Sequence, residues 1–353
     1  MNVALFPFDS SSLPLIHNDK ELFGIEINAV FSFPEWGYCG ETLNSIDHVC
    51  KKNLIVQFFS NKYDIISFDT VIICNTYIKH NIEYCITDVI NTLLASGVVV
   101  INLSSIFNPD WLMSDYYRKH DLNTEKTSLG LFPSPLCKKI AIAELSPSNN
   151  SHYVLFSLWN QFKQVDMKTA VVSSFPLISY SHDIRCFDWD SIDRKPLNDY
   201  LNGLRSFVEK TNKDNYDIQV WELPKAFLEE GYSDISLNTK INLKEILPDI
   251  LVVILPAEIY DYELFEKLTK KIRNILNIKT IKFVMGNNFQ MFDIQQDYLP
   301  IYLTRDTFDY YLKRNSDSDI DLTSIYSCFE SCDFARTLLN ELSRRNKSDF
   351  LSI

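Results

Sequence analysis

"KKIAIAELSPSNNSHYVLFSLWNQF", residues 138–162, decides how the second half of the chain is read. It opens on an apolar run of buried-strand length and closes on apolar residues at helical spacing, with SPSNNSH between them. Strand, loop and helix, followed by a strand at TAVVSS (169–174), is the layout of a phosphate-binding loop. Such loops work through glycines, which let backbone N–H groups wrap the phosphates, and a lysine that neutralises them. This loop has neither. Its Ser146, Ser148, Asn149, Asn150 and Ser151 are helix-capping types, and His152 replaces a lysine only when protonated. The frame is expected, and a working nucleotide site is not.

Glycine usage points the same way. The chain has 8 glycines in 353 residues, about a third of the usual share of roughly 7%. The closest pair, Gly37 and Gly40, forms no G-x-G-x-x-G fingerprint. No cofactor is expected.

Outward from the opening stretch, strand and helix patterns alternate in both directions. VALF (3–6), IEINAVFSF (25–33), FDTVIICN (68–75) and VVVINL (98–103) read as strands, with helices over 13–24 and 85–97. A polar stretch with Pro133 and Pro135 interrupts the alternation. It resumes with strands at 139–145, 169–174, 217–223, 249–256, 280–286 and 300–304, and with helices at 151–164, 197–211, 261–276 and 329–346. Apolar strands alternating with helices imply parallel sheets buried on both faces. The predicted fold class is α/β, two Rossmann-like domains with mainly parallel sheets. The predicted division is an N-terminal domain over 1–125, a linker over 126–137, and a C-terminal domain over 138–353 that resembles a degenerate phosphate-loop fold.

Hydrophobic residues at 46% and charged residues at 23% allow each half a core. A net charge of -12 argues against a nucleic-acid partner, and SRRNK (343–347) reads as a solvated helix end. MNVALFPFDS lacks the basic start of a signal peptide, and no apolar run approaches the roughly 20 residues that cross a bilayer. The eight cysteines contain no C-x-x-C pair. They are expected as reduced thiols in a cytoplasmic protein with no membrane partner.

In open parallel sheets, ligands bind beyond the carboxyl ends of the strands. In the first half that rim would gather Asp9, Ser10, Ser11, Glu35, Trp36, Tyr38, Asn75, Tyr77 and Ser104, a mixture of aromatics and short polar groups suited to a peptide or small ligand. Cys39, His48 and Cys50 have no common zinc-site spacing, and Cys328 with Cys332 would share one helix face. Both sets read as thiols, and no metal site is expected. There is no G-x-S-x-G elbow and no carboxylate pair that can be placed across a cleft, so catalytic residues stay unassigned.

VALFPFDSSSLPLI, FSFPEWGYCG, FDTVIICNTY and GVVVINL together resemble a family of clostridial peptide-maturation-system proteins. Pro7, Phe8, Asp9 and Pro14 match that family's opening, and Trp36, Gly37 and Gly40 match its Trp-Gly segment. Genes of that family accompany bacteriocin-like precursor peptides and radical-SAM maturases. Its second domain resembles a phosphate-loop fold opening with Gly-Thr and a helix-start lysine or arginine, from which residues 146–152 depart. The resemblance implies an accessory role in ribosomal-peptide modification, and no activity follows from it. The missing glycines and catalytic constellations favour a partner protein that binds the precursor peptide, a radical-SAM maturase or another peptide maturase, without independent catalytic activity. Two alternatives stay open: an enzyme acting on a peptide at the N-terminal rim, and a divergent nucleotide-binding protein.

Overall fold

The computed structural model describes residues 1–50, 52–74, 83–103, 137–145, 150–173, 183–187, 189, 192, 195–223, 235–276, 278, 280–293, 297–316 and 322–349. They form two compact units, the first within Met1–Pro133 and the second within Ser134–Ser174 and Asp183–Ile353. The expected linker, apart from Cys137, lies outside the described residues. The fold is α/β with two mainly parallel sheets.

The first unit's sheet consists of β1 (Val3–Phe6), β2 (Ala29–Ser32), β3 (Val56–Phe58), β4 (Thr70–Ile73) and β5 (Val99–Asn102), in the order β3-β2-β1-β4-β5, all parallel. β1, β2 and β4 are buried on both faces, which explains their near-continuous apolar composition. β3 was not legible as a strand because it is three residues long and exposes Gln57 and Phe58. The helix expected over 13–24 is two, α1 (Leu13–His17) and α2 (Asp19–Phe23). Asn18 leaves the helical region between them, and its side chain donates to Pro14 O at 2.8 Å. A short α3 (Leu43–Ile46) follows, then α4 (Glu83–Ala95), which buries Ile86, Val89, Ile90 and Leu93 against the sheet.

The second unit's sheet comprises β6 (Lys138–Glu144), β7 (Thr169–Ser173), β8 (Ile184–Cys186), β9 (Ile218–Glu222), β10 (Ile250–Leu255), β11 (Thr280–Met285) and β14 (Thr323–Ser324). Its order is β14-β11-β10-β6-β9-β7-β8, again parallel throughout. β12 (Asn288–Asp293) and β13 (Asp297–Tyr302) form a separate antiparallel pair, so the strand expected at 300–304 belongs to a hairpin and not to the main sheet.

Side-chain alternation sorts the helices by face. Ala141, Ala143, Val172, Trp221, Leu251 and Val253 meet α6 (Leu197–Lys213), α7 (Leu237–Ile246) and α8 (Tyr262–Leu276) in one cluster. On the other face α5 (Asn150–Gln164) packs on the sheet and is buried nearly all round. α9 (Arg305–Ser316), α10 (Ile325–Glu330) and α11 (Asp333–Asp349) complete the unit. Ser157 Oγ and Gln161 Nε2 of α5 both donate to Cys328 O, which ties α10 to α5. The chain turns at Ser331 between α10 and α11, so Cys328 and Cys332 do not share a helix as their spacing suggested. No helix among the described residues is long and apolar enough to cross a membrane.

Candidate functional site

Three neighbouring strands of the second sheet, β6, β9 and β7, each end on a polar residue: Glu144, Glu222 and Ser173. Trp221 and Val172 turn to the α6–α8 face, so the residues after them point to the α5 face, and so does Glu144 one residue after Ala143. All three are thereby aimed at the first turn of α5, whose N–H groups have no partner within the helix.

Glu144 Oε1 accepts the backbone N–H of Ser151. Glu222 Oε1 accepts the Ser151 hydroxyl at 3.1 Å and lies 2.8 Å from His152 Nε2, while its Oε2 accepts the Ser173 hydroxyl at 3.0 Å. None of these residues is more than 3% exposed. Burying a carboxylate costs several kcal/mol, roughly, unless donors surround it, and Glu222 is surrounded by three. On the other side of β6, Asn150 Nδ2 donates to Asn288 Oδ1 at 2.5 Å. Gly286 lies against that pair, and a Cβ there would sit 2.4 Å from Asn150 Nδ2. A side chain there would have to push the Asn150–Asn288 amide pair aside.

The pattern G-x-x-x-x-G-K-[ST] can be laid on this segment with its final hydroxyl at Ser151. Glu144 then stands for the first glycine, Asn149 for the second and Asn150 for the lysine. The hydroxyl of such loops works with an acid at the end of a neighbouring strand, and Ser151 and Glu222 are likewise a hydroxyl and a strand-end acid in contact. An anion at a helix N-terminus would take the backbone N–H that Glu144 holds. Residues 146–149, with Ser146, Ser148 and Asn149, lie outside the described residues.

The sequence reading missed Glu144 and Glu222. Their signal was present: KKIAIAE and IQVWE are buried strands that both finish on glutamate. Asn287 and Asn288 carried no comparable signal, because their burial depends on the turn between β11 and β12.

The rim predicted in the first unit is assembled differently from expectation. Asp9 is 1% exposed, so its carboxylate is not displayed at the edge. The turn over Ser10–Ser12 folds the chain back, and Ser12 N–H donates to Asp9 O at 3.1 Å. Tyr38 packs edge-on against Phe8 at 5.4 Å; burial pushes its phenol up, and hydrogen bonding with Ser10 partly offsets this. Trp36 is half-buried, 4.9 Å from Phe33, and Glu35 is exposed. Asp9, Ser10 and Tyr38 are therefore brought together, with Asp9 buried and the other two half-buried. The side chain of Ser11 and residues Asn75, Tyr77 and Ser104 lie outside the described residues.

Among the described residues no three His, Cys, Asp or Glu side chains converge as metal ligands. Cys39 Sγ donates to the carbonyls of Ser32 and Gln57, and burial pushes the Cys50 thiol up to about 12.

No protein-family model matches the sequence, and no curated protein does. Among solved structures the chain is similar to a DUF1611 family protein from Anabaena variabilis, with a TM-score of 0.56 at 11% identity, covering 97% of this chain and 99% of that one. A nucleotide-binding protein from Archaeoglobus fulgidus in complex with ADP matches with a TM-score of 0.33 at 9% identity, covering 56% of this chain and 86% of that one. The MinD cell division protein of Aquifex aeolicus gives 0.29 at 11%, covering 50% and 79%. The first likeness shows a shared fold, and the other two add nothing to it.

Proposed function

We propose that the chain is a non-catalytic partner protein in the maturation of a ribosomally synthesised peptide, holding the precursor peptide or its maturase. Its second unit, in this reading, is a degenerate phosphate-loop domain kept as a scaffold. The observation that carries the non-catalytic part is Glu144, whose carboxylate accepts the Ser151 N–H where an anion would dock. A phosphate brought there would meet two buried carboxylates and, in Asn150, no charge to offset them. The peptide-maturation part is supported by the sequence resemblance of the first domain. A net charge of -12 and free thiols at the described cysteines suit a cytoplasmic protein without a nucleic-acid partner.

Two experiments test this. Calorimetric titration with Mg-ATP and Mg-GTP is expected to give no saturable heat with the wild type; one-to-one binding would sink the scaffold reading. Copurification with the products of neighbouring genes is expected to retain a precursor peptide or maturase, and its failure would sink the partnership.

The Ser151–Glu222 pair favours a second reading, a divergent nucleotide site that Glu144 vacates on binding. Under that reading the wild type binds Mg-ATP, and Glu144→Gly binds it more tightly.

A further inference from the structure

We draw no further inference here: the strongest candidate, the groove between α8, β11 and α11 beside Arg273, carries nothing, because β14 pairs in parallel with β11 and brings Leu322 onto the Phe265–Phe283 cluster, and nothing in the structure shows what covers the rest of that edge.

Discussion

The two sheets end their strands in different ways. In the first unit the edge beyond β1 and β2 carries aromatic packing beside the buried Asp9: Phe6 lies 4.1 Å from Phe59 and 5.3 Å from Phe33, and Trp36 packs on Phe33. In the second unit the corresponding edge is closed by a hydrogen-bonded set of side chains around Glu144 and Glu222. Apolar closure needs only shape and is tolerant of substitution. Polar closure needs every donor and acceptor answered, so losing one member exposes the others to the full cost of burial. Two edges of one architecture thus differ in how sharply they should respond to single changes.

Glu222→Ala should produce the largest effect. It leaves the hydroxyls of Ser151 and Ser173 and the ring of His152 without their shared acceptor. The expected cost is about 3 kcal/mol or more, lowering the melting temperature by about 6–12 °C for a unit of this size. A shift of about 1 °C would show that the polar edge is no more demanding than the aromatic one.

Gly286→Ala comes next, at about 2 kcal/mol, because its methyl would collide with an Asn150 amide held by Asn288. Shortening the obstruction should relieve it: in a double-mutant cycle with Asn150→Ala, the two changes together should cost less than their sum. Additive costs would mean that the close approach does not hold Asn150 in place.

Trp36→Ala removes a half-buried ring and should cost about 1–2 kcal/mol, measured by denaturant unfolding. A larger loss than that of Glu222→Ala would invert the ranking of the two edges.

The smallest effect lies away from both edges. Arg205 donates to Glu245 at 2.9 and 2.7 Å, and these hydrogen bonds hold the Glu245 carboxyl below its ordinary value of 4.5. A folded value below the unfolded one gives stability that is present above 4.5 and lost as pH falls through the folded value. Glu245→Gln should melt slightly below wild type at neutral pH, and the gap should close in acid. A gap that persists at about pH 2 would show that the charge is not its source.

Much of this layout is legible in the order of residues. VALF, the IAIA centre of KKIAIAE and ILVVIL are apolar because both their faces are covered, and their runs locate the strands within a residue or two. β3 and β8, three residues each, and the two-residue β14 lie at or next to sheet edges, where half-exposure dilutes the pattern. α7 and α9 were missed for a related reason: LNTKINLKEI and RDTFDYYLKRNS bury few residues each, so their apolar stripes are thin. The rim in the first unit was drawn from strand ends alone. That rule brings Asp9, Ser10 and Tyr38 together, but it cannot say that the chain after β1 buries the Asp9 side chain.

By itself the sequence determined the α/β class, the helix that follows β6 and the lack of glycine and lysine in the loop between them. These are local properties, set by the period of apolar residues and by which side chains let a backbone approach an anion. Only the tertiary structure decided which side chains gather at the first turn of α5. Glu144, Glu222 and Ser173 come from strands ending at residues 144, 222 and 173, and no local pattern relates them. The strand order β6-β9-β7 sets those ends side by side, and the pleat turns all three toward the first turn of α5.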